Sequence, residues 1–224
     1  MQAALSPIRS PLSSYVPVRR PVVPAPAGPD APALGVTRVY ARDEEIFEEG
    51  GKAALVYRLV TGAVRTCTLL SDGRRQIGAF HLPGDLFGIE AADTHRFAAQ
   101  ALGDATVIAY RRAQVQADGE LSGELMRAMM RALAQAQSHL LLLGRKTAVE
   151  RIAAFLLDLS ERLGGERHLD LPMSRADIAD YLGLTIETVS RTLTQLERNG
   201  IIALPDHRRS IVLRDRPALQ HLDA

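Results

Sequence analysis

The sequence predicts an α+β fold with an N-terminal antiparallel β-roll, a long helix and a C-terminal winged helix-turn-helix. Three observations predict it. Short β-rich runs alternate with regularly spaced turn signals in the first half of the chain, a proline-free helical pattern follows, and the last third holds two short helices joined by a glycine-containing turn. The expected divisions are residues 1–33, 34–113, 114–145 and 146–224.

The first division, residues 1–33, is predicted to be a disordered tail. It holds eight of the 12 prolines of the chain, with serine and alanine between them and few charges. Such a segment buries too little apolar surface to offset the entropy that it would lose on ordering.

The second division, residues 34–113, is predicted to be a β domain. Its turn signals are mostly 11 or 12 residues apart, and short strands of this spacing favour an antiparallel roll or barrel. The turn signals are Gly50-Gly51, Thr61-Gly62, Asp72-Gly73, Pro83-Gly84-Asp85 and Gly103-Asp104. The clearest strands are Ala54–Val60, Ala63–Leu70 and Thr106–Tyr110.

The third division, from about Gln114 to Arg145, is predicted to be one long helix. Apolar side chains recur along it at spacings of mostly three and four, and at 1.5 Å per residue it would span about 40 Å. Because a small roll could not cover so long a stripe, we expect a second copy of the helix to pack on it in a homodimer. The alternative is that the stripe packs only on its own β domain. The stripe comprises Leu125, Met126, Met129, Met130, Leu133, Leu140 and Leu143.

A further amphipathic helix is predicted over Thr147–Leu163, ended by Gly164-Gly165. The next helix begins at Ser174, which has an acidic residue, Asp177, three positions later, as in a capping box. Gly183 then breaks the pattern. This arrangement predicts the first helix of a helix-turn-helix.

The second helix of the motif, predicted over Ile186–Asn199 and capped by Thr185, separates into two faces. At 100° per residue, Ile186, Val189, Leu193 and Leu196 fall within an arc of about 80°. The opposite face offers a carboxylate, hydroxyls and guanidinium groups, which are the groups that read base edges in the major groove. We expect DNA contacts from Thr185, Glu187, Thr188, Ser190, Arg191, Thr194 and Arg198, with Arg198 on phosphate.

After Gly200, a hairpin is predicted from Ile201–Leu204, a polar tip over Pro205–Arg209, and Ser210–Leu213. This hairpin would be a wing whose Arg208 and Arg209 contact the DNA backbone. An ordinary amphipathic surface helix is the alternative for the second helix. The caps, the turn glycine and the wing together favour DNA binding.

At these residues the sequence resembles the CRP/FNR family of transcription regulators. The segment SRADIADYLGLTIETVSRTLTQLERNG (Ser174–Gly200) resembles the family's DNA-binding motif, and GAFHLPGDLFG (Gly78–Gly88) resembles its β-roll. The stretch Glu187–Arg191 is typical of the FNR branch. The likeness covers about Val36 to Leu213 and implies a homodimeric DNA-binding regulator with a cyclic-nucleotide-binding-like roll.

The resemblance also implies partners. It implies recognition of a TTGAT-N4-ATCAA-like palindrome through Glu187, Ser190 and Arg191, mainly as an activator. It further implies that roll loops around Pro83–Glu90 contact RNA polymerase.

Two departures from the family pattern bear on its sensors. The FNR branch holds an iron–sulfur cluster with N-terminal cysteines and one in the roll, whereas Cys67 is the single cysteine of this chain. The cyclic-AMP-binding members carry an acidic residue directly after the roll glycine and an Arg-Ser pair, whereas here Ile89 and Glu90 follow Gly88 and Arg96 precedes a phenylalanine. We therefore expect no cofactor and no bound effector. This combination indicates the FixK-type subgroup, which implies a role in low-oxygen and nitrogen metabolism.

The sequence bears on two other functions, a sensor and an enzyme. A haem or small-molecule sensor of the same family remains open, although His81 in the shared motif favours a structural role over an axial ligand. An enzyme is not favoured, since the sequence has no closely spaced histidine set, nucleophile elbow or phosphate-binding loop. We expect no catalytic and no metal-binding residue. Because the sequence has no signal peptide and no long apolar run, the chain is predicted to be cytoplasmic and not to associate with a membrane. Because the net charge is only +1, we expect DNA binding to depend on where the charges lie rather than on their total.

Overall fold

The computed structural model describes residues 35–205 and 209–223, so the predicted tail of residues 1–33 lies outside it. The predicted α+β fold is confirmed, with eight strands preceding the first helix. The strands are β1 (Gly35–Tyr40), β2 (Glu45–Phe47), β3 (Leu55–Thr61), β4 (Val64–Leu69), β5 (Arg75–His81), β6 (Leu86–Phe87), β7 (Ala98–Ala101) and β8 (Ala105–Arg111).

These strands form two four-stranded antiparallel sheets, in the orders β1-β8-β3-β6 and β2-β7-β4-β5. The three strands expected from the sequence appear as β3, β4 and β8, shifted by no more than about one residue at either end. Alternate side chains point between the sheets and form the core of the roll. That core comprises Tyr40, Ile46, Tyr57, Leu59, Val64, Phe87, Ala99, Ala101, Ala105, Val107 and Ala109.

The turn between β3 and β4 shows why glycine punctuates this domain. Gly62 has a φ of +85°, and a Cβ there would lie 2.4 Å from the carbonyl oxygen of Asp104. Both the left-handed backbone and the close approach therefore require glycine.

The helical region differs from the prediction at its start. Instead of one helix from Gln114, there are two, α1 (Arg112–Ala117) and α2 (Gly119–Arg145). Asp118 separates them in an extended conformation, and its carboxylate accepts a hydrogen bond from the amide of Leu121 at 2.9 Å. Asp118 is thus both the C-cap of α1 and the N-cap of α2.

Most of the apolar stripe of α2 is exposed in the part of the chain that the structure describes. Among its large apolar side chains only Leu142 is buried, while six others are between 45 and 72% exposed. The alternative that the stripe packs on its own β domain is therefore wrong for this face. The exposed side chains are Met126, Met129, Met130, Leu133, Leu140 and Leu141.

The C-terminal part contains α3 (Ala148–Arg162), β9 (His168–Asp170), α4 (Arg175–Leu182), α5 (Ile186–Arg198), β10 (Ile202–Ala203), β11 (Ser210–Leu213) and α6 (Arg216–Asp223). Helix α3 matches the expected Thr147–Leu163, with Thr147 and Glu150 in a capping box. Strand β9 and helix α6 were not predicted. Strand β9 pairs with β11 and makes the wing a three-stranded sheet.

One hydrophobic cluster joins this part to the roll. It includes Ile77, Phe80 and Leu82 from the roll together with Phe155 on α3 and Leu182 on α4. The rings of Phe80 and Phe155 meet edge to face with centroids 6.3 Å apart. The two parts of the chain therefore share a packed interface.

Candidate nucleic-acid interface

Helix α4 starts at the cap that the sequence predicted. The hydroxyl of Ser174 accepts from the amide of Asp177 at 3.1 Å, and the carboxylate of Asp177 accepts from the amide of Ser174 at 2.9 Å. Two amides that a helix start leaves without a partner are thereby satisfied by one reciprocal pair.

The turn between α4 and α5 is built on Gly183. Its φ is +62°, and a Cβ there would lie 3.4 Å from Leu143 and 3.5 Å from the guanidinium of Arg151, so conformation and space both favour glycine. Thr185 then caps α5 by accepting from the amide of Thr188 at 3.2 Å, while the two threonine hydroxyls lie 3.1 Å apart. The cap fixes the direction in which α5 leaves the turn.

The inner face of α5 packs nearly as expected. Val189, Leu193 and Leu196 are at most 2% exposed, and Thr192 is buried beside them. Ile186, which the period placed on this face, is 47% exposed. It is the first residue of the helix and lies beyond the turns that pack on the core, so the prediction was wrong for its burial.

The outer face of α5 presents charged side chains to solvent. Glu187, Arg191 and Arg198 are exposed. Across residues 35–205 and 209–223, no ion pair or side-chain hydrogen bond involves any of the three. Their charges therefore remain available to a ligand.

The hydroxyl groups of this face are partly used inside the protein. Thr194 donates to the backbone carbonyl of Ser190 at 3.0 Å. Ser190 accepts from the guanidinium of Arg175 at 3.3 Å. Arg175 is the first residue of α4 and was missed from the sequence, because the period of α5 says nothing of a side chain that reaches it from α4. It adds a guanidinium beside Ser190 and Arg191.

One shallow depression runs along this surface. It is lined by Ser190, Arg191, Thr194, Gln195, Arg198 and Asn199. Gln195 and Asn199 were not among the predicted contacts, although the same helical period places them beside Arg191 and Arg198. Amide, hydroxyl and guanidinium groups on one exposed helix face form a surface that can hydrogen-bond base edges and phosphates.

The hairpin of the wing, formed by β10 and β11, directly follows α5 in the sequence. Strands β10 and β11 pair antiparallel with Ile202 opposite Leu213, and both side chains are buried. Arg209 is exposed, and its carbonyl accepts from the amide of Leu171 at 2.7 Å. Arg208 lies outside the described residues. The guanidinium groups of Arg191 and Arg198 on α5 and of Arg209 on the wing are all exposed, so positive charge is accessible on both elements although the net charge is only +1.

The loop that follows Gly88 uses its acidic side chain within the roll. The carboxylate of Glu90 accepts from the amide of Arg96 at 3.0 Å, so it closes its own loop. His95 is 3% exposed and stacks on Phe47 with ring centroids 3.7 Å apart. In the family pattern the acidic residue directly follows the roll glycine, whereas Glu90 lies one position further along the chain. Its carboxylate is already hydrogen-bonded within the loop.

The other candidate cofactor ligands contact side chains of the roll. His81 lies 3.3 Å from the hydroxyl of Thr66 and stacks on Phe87, and burial lowers its pKa to about 4. Burial likewise raises the pKa of the Cys67 thiol, which is 5% exposed. Within the described part of the chain, no three His, Cys, Asp or Glu side chains are grouped as a metal site, and no helix has the length and apolarity to span a membrane.

The chain is similar to known proteins over both of its parts. A family model described as a Crp-like helix-turn-helix domain matches residues 150–222, and one described as a cyclic nucleotide-binding domain matches residues 37–117. The nitrogen fixation regulation protein FixK of Azorhizobium caulinodans is 51% identical over 201 residues, which cover 86% of this chain and 81% of that protein.

More distant and structural relatives agree. The transcriptional activator protein FnrA of Stutzerimonas stutzeri is 38% identical over 74% of this chain and 72% of its own. The solved structure of FixK2 from Bradyrhizobium japonicum superposes with a TM-score of 0.80 at 50% identity, covering 85% of this chain and 98% of that one.

Proposed function

Because this chain belongs to the CRP/FNR family of transcription regulators and to its FixK-type members, we propose that it is a homodimeric, cytoplasmic activator of genes for low-oxygen and nitrogen metabolism. It binds a TTGAT-N4-ATCAA-like palindrome without a bound effector. Its relatives are transcription regulators, which supports a non-enzymatic role.

The observation that carries the proposal is the outer face of α5. Glu187 and Arg191 are exposed and unpaired among the described residues, and Ser190 lies between them on the same face. The carboxylate of Glu187 suits a cytosine amino group, the guanidinium of Arg191 suits a guanine edge, and the hydroxyl of Ser190 can donate or accept. All three lie toward the start of α5, the part of a recognition helix that contacts bases in the major groove. Arg198 and Arg209 are assigned to phosphate, as is Arg208.

The exposed stripe on α2 supports the homodimer. Met126, Met130, Leu133 and Leu140 follow heptad spacing, which keeps one seam facing a parallel partner helix. We expect Leu133→Glu to turn the dimer into a monomer in sedimentation equilibrium. Ser138→Glu, on an exposed position away from the seam, is the control. A dimer that survives Leu133→Glu but not Ser138→Glu would contradict this arrangement.

The closed loop after Gly88 supports activity without an effector, because Glu90 already has a partner and Phe97 replaces a hydroxyl in the family's Arg-Ser pair. RNA polymerase is the proposed partner of the loop Pro83–Glu90, at which Pro83 and Gly84 are exposed. Asp85 in that loop pairs with Arg162 at 2.9 Å, so part of the loop is fixed against α3.

An effector-gated regulator is the second candidate, and one feature favours it. A cavity of about 790 Å³ lies between α2, α3 and the β5–β6 segment of the single chain. Both ring nitrogens of His139, on its wall, are buried without a partner among the described residues. A second copy of α2 would cover part of this region.

The two candidates differ in one binding measurement. Purified protein should bind a fluorescent TTGAT-N4-ATCAA duplex in air with no added ligand. Its affinity for a scrambled duplex of equal length should be lower by a factor of about 10³ or more. Binding that requires a nucleotide, another small molecule or the absence of oxygen would reject the effector-free proposal. A Soret absorption band in the purified protein would identify a haem sensor.

A further inference from the structure

Four charged side chains join the roll to the first helix of the DNA-binding motif. Arg65 on β4 donates to Asp177 on α4 at 2.9 Å. Arg75 on β5 donates to the same oxygen of Asp177 at 2.6 Å and to Asp180 at 2.8 Å. We call these four residues the interdomain clamp.

The centre of the clamp is buried and fully used. Asp177 is 4% exposed and Arg65 is 8% exposed. One carboxylate oxygen of Asp177 accepts from both arginines, and the other accepts from the amide and hydroxyl of Ser174 at 2.9 and 2.7 Å. A single carboxylate therefore completes the capping box of α4 and holds the helix against the roll.

Burial opposes ionisation of Asp177, but the hydrogen bonds from Ser174 and the charges of Arg65 and Arg75 outweigh it and lower its pKa. The carboxylate thus keeps its charge at neutral pH. A buried ion pair adds little net stability, since desolvation offsets the attraction, yet it disfavours arrangements that bury one charge without the other. Such a pair selects an orientation more than it adds stability.

A second contact fixes the opposite end of α4. The guanidinium of Arg151 on α3 donates to the carbonyls of Leu143, Lys146 and Leu182 at 2.9, 2.9 and 2.8 Å. It therefore ties the end of α2 and the start of the interhelix turn to α3. The clamp therefore holds the first turn of α4, and Arg151 holds its last turn.

We propose that Arg65, Arg75, Asp177 and Asp180 are positioning residues that set the orientation of α5 relative to the roll, and thereby the separation of the two α5 helices in the dimer. The inference rests on the proposed function, because that separation matters only for a palindromic site. None of the four residues is placed in contact with DNA. Helix α5 follows α4 after a short turn, so the orientation of one helix determines that of the other.

The consequence is measurable as a preference for half-site spacing. One added base pair moves a half-site by about 3.4 Å along the helix axis and rotates it by about 35°. A dimer with rigidly held recognition helices should reject that change, whereas a dimer with loose ones should accommodate it. General destabilisation of the fold would lower affinity for every spacing without changing the preference.

The test uses the full chain with charge variants of one hairpin. Arg75→Asp breaks the clamp, and Arg75→Gln is a milder version that keeps a polar side chain. Arg74→Asp is the matched control, because Arg74 carries the same charge one residue away but, among residues 35–205 and 209–223, pairs with Asp72 alone. The double variant Arg75→Asp/Asp180→Arg restores an ion pair of opposite polarity.

Two readouts are needed. We expect wild type and Arg74→Asp to prefer the N4 duplex over N3 and N5 duplexes by about tenfold or more, and Arg75→Asp to reduce this preference to about threefold or less. The double variant should recover it. In the DNA-free protein, Arg75→Asp should increase amide hydrogen exchange in α4 and in the β4–β5 hairpin, and the double variant should reverse the increase.

The outcomes separate the two proposals. If wild type shows no preference for the palindrome, the proposed function fails and the exchange data alone decide whether the clamp holds α4. If Arg75→Asp and Arg75→Gln leave exchange unchanged, the clamp is overturned. An unchanged spacing preference, or one lost equally in Arg74→Asp, overturns its role in positioning α5.

Discussion

Helices α4 and α5 are neighbours in sequence and in space, and they use charge in opposite ways. On α4, Asp177 and Asp180 face the roll and are paired with arginines there. On α5, Glu187 and Arg191 face solvent and pair with nothing in the described residues. The charged side chains of α4 thus make contacts within the protein, whereas those of α5 are accessible to a ligand. This difference predicts that substitutions of Asp177 and Asp180 change stability and geometry, and that substitutions of Glu187 and Arg191 change DNA binding.

The largest expected effect comes from the buried side of this comparison. Asp177→Ala removes the carboxylate half of the capping box and leaves Arg65 without its buried partner, so we expect the free energy of unfolding to fall by about 3–5 kcal/mol in urea denaturation. Glu187→Ala, an acidic residue in the first turn of α5, is the matched control and should cost less than about 1 kcal/mol. Equal losses from the two would remove the contrast.

The next effect belongs to α5. Arg191→Ala should weaken binding to the cognate palindrome by about 1–3 kcal/mol and relax the preference at one base pair of each half-site, with little change in stability. Fluorescence anisotropy on the cognate duplex and on a scrambled one measures both parts. An equal loss on the two duplexes would make Arg191 a phosphate contact.

Histidines extend the comparison to pH. The pKa of His81 is lowered to about 4 by burial, so between pH 6.5 and 4 the unfolded chain binds a proton that the folded chain excludes. Stability should therefore fall as pH drops through this window, by about 1 kcal/mol between pH 7 and 5.5 from this residue. His81→Gln should flatten the decline relative to an exposed-residue control, His168→Gln. Identical pH profiles for the two variants would be inconsistent with a neutral His81 in the folded chain.

The smallest effect is expected at Arg198. If it binds phosphate, Arg198→Ala should weaken binding to cognate and scrambled duplexes alike, and reduce the slope of log K against log salt by about 1. Titrations at several salt concentrations measure the slope. A change confined to the cognate duplex would assign Arg198 to a base instead.

Local patterns in the sequence predicted much of α4 and α5. The cap at Ser174, the turn at Gly183 and the buried face of α5 each depend on residues within a few positions of one another, and the structure has them. The exposure of Ile186 was not predicted, because helical periodicity indicates which way a side chain points but not how far along the helix the core extends.

Long-range contacts could not be predicted in this way. The clamp joins Arg65 to a carboxylate 112 residues away, and neither partner carries a local signal of the other. Strand β9 has three residues, too few for an alternating pattern, and it exists because β11 offers it an edge. The break at Asp118 was hidden because a capping aspartate also fits within a polar helical stretch.

The most direct test of the central claim is a crystal structure of the dimer bound to a TTGAT-N4-ATCAA duplex. The account predicts that α5 lies in the major groove of each half-site, with Glu187, Ser190 and Arg191 within hydrogen-bond distance of base edges and Asp177 still paired with Arg65 and Arg75. A complex in which α5 lies outside the groove, or in which these three side chains meet only phosphate, would contradict it.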